Sequence, residues 1–128
     1  MKKKILIVRS NYYNHITSSL SGKIRIGLSK SKYHVNEKTV SGTYEIPLAI
    51  SQNIKKYDAF IAIGCVIKGK TDHYDYICRS VFNSLSYLMI EHKKPIANSI
   101  LTTNNQSQAK KRVLKKSKES ILSIKSFI

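Results

Sequence analysis

The chain has 128 residues, of which 41% are hydrophobic, enough for one compact domain with a real core. Lysine and arginine number 23 against 7 aspartates and glutamates, and the resulting net charge of +16 points first to polyanionic partners. Two features argue against a specific nucleic-acid binder or a membrane protein. The lysines are spread over both ends and most connections, densest from Lys110 to Lys118, with no recognition-helix or aromatic cluster, and no apolar run approaches the roughly 20 residues that span a bilayer.

Taken in chain order, Met1 to Lys4 is a basic start, but the apolar stretch behind it, Ile5 to Val8, stops at Arg9. That is too short for a secretory signal core and reads as the first, doubly covered strand of a cytoplasmic protein. Ile16, Leu20, Ile24 and Leu28 recur every four residues and predict a helix. Tyr33 to Val40 is a weaker strand. Pro47, with an acid before it, predicts a helix starting near Glu45 that buries Ile46, Leu48, Ala49, Ile50 and Ile54.

Ala59 to Ile67 is nearly all apolar and is the clearest buried strand, followed by a polar loop from Lys68 to Asp72. Ile77, Val81, Leu85 and Leu88 mark the next helix, Ile96 to Leu101 a fourth strand after Pro95, and Ala109, Val113, Ile121 and Ile128 the inner side of a last helix from about Asn105. Strands alternating with helices imply an α/β domain spanning 1–128. It would hold a four-stranded parallel sheet with helices on both faces and bind ligands beyond the carboxyl ends of the strands. Cys65 and Cys78 form neither a C-x-x-C pair nor a metal-ligand spacing, so reduced thiols and no metal are expected.

Gly64-Cys65-Val66-Ile67-Lys68-Gly69-Lys70-Thr71 satisfies the phosphate-loop pattern G-x-x-x-x-G-K-[ST]. Its context argues against a nucleotide hydrolase. Val66 and Ile67 continue an apolar strand where a phosphate cradle needs small residues with inward N–H groups. The loop also follows the third strand, and no apolar strand ends in an aspartate suited to magnesium. A receiver domain or a flavodoxin would need acids or a glycine- and hydroxyl-rich loop after the first strand, where Arg9-Ser10-Asn11-Tyr12-Tyr13 stands.

Four segments in order resemble the lumazine synthase family. They are Ser10-Asn11-Tyr12-Tyr13-Asn14-His15-Ile16-Thr17; Val40-Ser41-Gly42-Thr43-Tyr44-Glu45-Ile46-Pro47-Leu48-Ala49; Gly64 through Lys70-Thr71-Asp72-His73-Tyr74-Asp75-Tyr76; and Ile100-Leu101-Thr102-Thr103 followed by Gln108-Ala109 and Arg112. The second is close to V-P-G-A-F-E-I-P-L-A and the third matches G-x-V-I-[RK]-G-x-T-x-H-[FY]-[DE]-[FY].

The resemblance implies a flavodoxin-like three-layer sandwich. It also implies the condensation of 5-amino-6-ribitylaminouracil with 3,4-dihydroxy-2-butanone 4-phosphate to 6,7-dimethyl-8-ribityllumazine, phosphate and water, without a cofactor. In this reading Tyr12 stacks on the pyrimidine. Thr43, Tyr44, Glu45, Cys65, Val66, Ile67 and Asn98 complete the pyrimidine and ribityl subsite. Lys70, Thr71 and Arg112 hold the phosphate, and His73 moves protons.

Ser41 stands in place of the family's usual proline, Tyr13 where asparagine is common, and Asn98 where an aromatic normally lies. The resemblance further implies a homopentamer whose sites lie between subunits, with Asn98 and Arg112 facing a neighbour's Tyr12, Glu45 and His73. Some members assemble twelve such rings into a shell. Here the start so close to the first strand favours a free ring. The alternatives weighed against this reading are a phosphate-loop hydrolase and a non-catalytic basic polyanion binder.

Overall fold

The computed structural model describes residues 1–69 and 73–128. Four parallel strands form one sheet in the order β2-β1-β3-β4: β1 (Lys3–Ser10), β2 (Tyr33–Val40), β3 (Ala59–Ile67) and β4 (Ile96–Thr103). Helices α1 (Asn14–Gly27) and α4 (Gln106–Lys125) cover one face, and α2 (Ile46–Gln52) and α3 (Tyr74–His92) the other. The expected alternation and parallel sheet are thus observed. No helix among the described residues is long and apolar enough to cross a membrane.

Strand alternation builds two cores from one sheet. Ile5 and Ile7 of β1, with Ile61 and Ile63 of β3, pack under Ile16, Leu20 and Ile24 of α1 and Ala109, Val113 and Ile124 of α4. Leu6, Val8, Phe60 and Ala62 pack under Ile46, Ala49 and Ile50 of α2 and Val81, Leu85 and Leu88 of α3. All nine residues of β3 are buried, as a central strand requires. β2 is an edge strand, which explains its largely exposed, polar pattern.

Leu48 corrects the sequence-based expectation: it is 63% exposed instead of buried. A short 3₁₀ turn over Thr43–Glu45 leads into α2, which then turns Ile46, Ala49 and Ile50 inward and Leu48 outward. Ile121 and Ile128 pack, partly buried, against the core as expected, and the inner line of α4 also runs through Ser117, Ser120 and Ile124. The Ser120 and Ser99 hydroxyls hydrogen-bond to each other inside the α4–β4 contact, which lets two polar side chains lie in a core.

Behind β2 a charged seam replaces apolar packing. Glu37 takes a hydrogen bond from Arg9 Nε at 3.1 Å and one from the Ser21 hydroxyl, and Arg25 stands 3.7 Å away. Burial would raise the Glu37 pKa, but the Ser21 and Arg9 hydrogen bonds and the charges of Arg9 and Arg25 together hold it below the ordinary carboxylate value. A carboxylate depressed in the fold contributes stability above its unfolded pKa and loses it as pH falls through the folded one. The stability gap between the wild type and Glu37→Gln, read by urea unfolding, should therefore be widest near neutrality and close below the ordinary carboxylate range. A gap that stays constant with pH would contradict this.

Candidate functional site

The sheet changes winding direction between β1 and β3: the chain leaves β1 toward β2 on one side and β3 toward β4 on the other. Open parallel sheets bind ligands at this switch, outside the carboxyl ends of the strands. A cleft of about 230 Å³ lies there, lined by Tyr12, Tyr13, Gly42, Thr43, Tyr44, Cys65, Val66, Ile67 and Ile77. Four segments separated in sequence thus converge on one place.

The first wall is the turn after β1. Tyr12 is 61% exposed, and its ring meets that of Tyr13 edge-on with centroids 4.7 Å apart. Tyr13 has φ 56° and ψ 51°, left-handed backbone that costs an L-residue about 1–2 kcal/mol. Neighbouring bonds hold this elbow. Asn11 N–H donates to the Val40 carbonyl at 2.9 Å, Tyr12 N–H to Ser10 Oγ at 3.2 Å, and Ile16 N–H to the Tyr13 carbonyl at 2.9 Å. Burial, then the neighbouring Tyr12 and Cys65, push the Tyr13 phenol above its ordinary pKa, so it stays a neutral donor at physiological pH.

The second wall is the turn after β2. Thr43 is buried, and Tyr44, 56% exposed, stands beside it. Glu45 does not line the cleft. Its Oε1 accepts from Ser41 Oγ at 3.3 Å, so the carboxylate folds back over the Ser41–Gly42 turn at the rim. The floor is the end of β3. Burial lifts the Cys65 thiol to about 11, so it is a neutral thiol near pH 7 and contributes shape, not a thiolate nucleophile.

His73 is exposed at the start of α3, one turn before Ile77 of the cleft, whose N–H donates to the His73 carbonyl at 2.8 Å. Lys70 and Thr71 lie outside the described residues. Gly64 to Ile67, the first half of the phosphate-loop pattern, are strand residues paired with Ile100 to Thr103. They run as extended strand along β4, which is not the turned backbone that a nucleotide phosphate cradle requires.

Asn98 and Arg112 are not brought to this cleft. Asn98 is exposed on edge strand β4, its Oδ1 accepting from Ile100 N–H at 3.1 Å. Arg112 donates from Nη1 to the Thr102 carbonyl at 3.3 Å. It lines a separate hollow with Ile100, Leu101, Thr102, Lys115, Lys116 and Glu119. The cleft and the cationic hollow are therefore two surfaces of the chain. The described residues that line the cleft include no charged side chain.

The sequence reading omits Tyr13, Gly42 and Ile77 from the site. Ile77 is hidden by its place in the core stripe of α3. The contribution of Tyr13 depends on a left-handed backbone that no propensity favours for tyrosine.

Comparison with known proteins gives a consistent result. A sequence model of the family described as 6,7-dimethyl-8-ribityllumazine synthase matches residues 2–125. A protein of that name from Corynebacterium glutamicum strain R is 40% identical over 78 residues, covering 61% of this chain and 49% of its own length. One from Bartonella tribocorum is 36% identical over 117 residues, covering 88% of this chain and 78% of its own. The alignment thus spans about half the length of the Corynebacterium relatives. Among solved structures, phosphotransferase system component EIIA from Streptococcus agalactiae overlays with a TM-score of 0.33 at 16% identity, over 100% of this chain and 95% of that one, too loose a likeness to bear on either fold or function.

Proposed function

We propose that this chain, which belongs to the 6,7-dimethyl-8-ribityllumazine synthase family, condenses 5-amino-6-ribitylaminouracil with 3,4-dihydroxy-2-butanone 4-phosphate in the cytoplasm, working as one domain over residues 1–128. The observation that carries the reading is the cleft at the β1/β3 switch, where the family-matching segments around Tyr12, Thr43–Tyr44 and Cys65–Ile67 meet. The exposed Tyr12 ring offers a face for the pyrimidine. The Thr43–Tyr44 turn and the rim carboxylate of Glu45 offer partners to the ribityl hydroxyls. Lys70, Thr71 and a guanidinium are the groups assigned to the ketone phosphate.

The reaction joins an amine to a carbonyl, expels water, eliminates phosphate and closes a ring. Each step needs a proton delivered or removed, and His73, beside the cleft, is the group assigned to that work. Much of the remaining acceleration comes from holding two reactants in register.

A cleft of about 230 Å³ is smaller than the roughly 300–1,000 Å³ typical of sites for such ligands. It also lacks a charged lining among its described residues, while Arg112, Lys115 and Lys116 flank a hollow elsewhere. Both observations support a site completed by a neighbouring copy in a homopentamer, Arg112 and Asn98 of one subunit meeting Tyr12 and His73 of the next.

The test is to mix the two substrates and follow the lumazine chromophore. The rate should exceed the spontaneous background and scale with protein concentration; a rate that stays at background would overturn the proposal. His73→Gln should lower kcat by about a hundredfold, the lower end of the range for a general acid-base group, and leave an orientation-driven remainder. An unchanged kcat would remove His73 from the mechanism.

A further inference from the structure

We infer that Arg9, which does not line the cleft, is a positioning residue that sets the affinity for the pyrimidine ring by fixing the Tyr12–Tyr13 elbow. The inference rests on the functional reading above. Helix α1 begins with no side-chain cap and no acid in its first turn, directly after the left-handed Tyr13. A helix start of that kind leaves its entry angle weakly specified.

Arg9 adds a side-chain constraint to the backbone bonds of the elbow. Its Nη1 donates to Asn14 Oδ1 at 2.6 Å and to Thr17 Oγ1 at 3.3 Å, gripping the first turn of α1 immediately beyond the elbow. Its Nε donates at 3.1 Å to Glu37, which also receives Ser21 and Arg25 from further along the same helix. The Arg9 side chain is only 12% exposed and its guanidinium is held at two edges, so the fork has little freedom.

The chain of constraint thus runs from β2 through Glu37 and Arg9 to Asn14, then to the backbone of Tyr13 and the ring of Tyr12. Tyr13 in turn meets Tyr12 edge-on and leaves the exposed ring available for stacking. None of Arg9, Asn14 and Glu37 lines the cleft. Their effect should be confined to the substrate that stacks.

The experiment compares wild type, Arg9→Met, Arg9→Lys and Asn14→Ala. The readouts are the Kd of the pyrimidine alone by calorimetry, the KM of each substrate, and kcat. Each variant should weaken pyrimidine Kd and KM by about tenfold, the scale of one lost aromatic stacking contact, while the KM of the ketone phosphate and kcat stay within about twofold. Lysine keeps the charge near Glu37 but cannot bridge it to Asn14, so Arg9→Lys should behave like Asn14→Ala. The Arg9→Met/Asn14→Ala double variant should be no weaker than the worse single one, as expected for two residues on one line of constraint.

Unchanged pyrimidine Kd in both Arg9→Met and Asn14→Ala would overturn the inference, and so would parallel losses for both substrates. Asn14→Ala leaves the Arg9–Glu37 pair in place, so the comparison survives if Arg9→Met fails to fold. A wild type that binds the pyrimidine but forms no lumazine would refute the enzymatic reading, while the Kd comparison would still decide the role of Arg9.

Discussion

Gly64→Ala is expected to lower stability by about 1–3 kcal/mol, the range for overpacking a filled interior, and to weaken pyrimidine binding by about tenfold, the scale of one displaced aromatic contact. Ordinarily alanine inside a strand is favoured over glycine by roughly 0.5–1 kcal/mol, so the sign of the effect is itself informative. A Cβ on Gly64 would lie 2.6 Å from Thr43 Oγ1 and 3.3 Å from its Cγ2. Thr43 is buried and β-branched, held in the 3₁₀ turn that leads into α2, so it cannot rotate away cheaply. Either β3 shifts and strains its pairing with β4, or Thr43 and the adjacent Tyr44 move out of the cleft. Adding Thr43→Ala should restore most of the unfolding midpoint in urea without restoring binding. A Gly64→Ala protein as stable as wild type would show that the close approach has no structural weight.

That contact also shows where sequence reading stops. Gly64 is visible in the chain as part of a motif, and the tempting explanation is a phosphate cradle. Its observed environment is a different one, the seat for a threonine some twenty residues earlier in the chain.

Ala59–Ile67 is legible because a run buried on both faces leaves one interpretation. The stripes of α1 and α3 are legible because their apolar period matches the helix. Leu48 misleads because apolarity within a helix does not fix its side, although the spacing of Ile46, Ala49 and Ile50 already implies the face that excludes it. The serines buried between α4 and β4 escape notice because their burial depends on hydroxyl pairing across the interface.

The site is legible segment by segment, since Tyr12, Thr43, Tyr44, Cys65, Val66 and Ile67 all reach one cleft. The Arg9–Glu37–Asn14 line is not, because it depends on the register of β1 against β2, which places Ile7 opposite Glu37 and Arg9 opposite Thr39. Nor does one chain bring Arg112 to the tyrosines, and that separation leads to the second large effect.

Leu48→Glu is expected to leave the folded monomer within about 0.5 kcal/mol of wild type, as for an ordinary surface change, yet to abolish both assembly and turnover. Leu48 shares a hollow with Pro47 and Tyr87 on the outer side of α2 and α3. Helix α3 turns Val81, Leu85 and Leu88 inward while Tyr76, Tyr87 and Ile90 stand 64–73% exposed on its other side. A helix apolar on two sides calls for two coverings, and the sheet supplies one of them.

If a second copy supplies the other, a carboxylate at Leu48 is desolvated without a partner, a cost of several kcal/mol. Each tenfold in affinity is worth about 1.4 kcal/mol, so such a cost would dissociate the ring at working concentrations. Sedimentation should then show a 14.6 kDa species, and the Arg112 hollow would no longer lie against a neighbour's cleft. A variant that stays assembled and active would locate the subunit contact elsewhere. One that is monomeric and fully active would mean that a single chain holds both reactants, and the shared-site reading would fail with it.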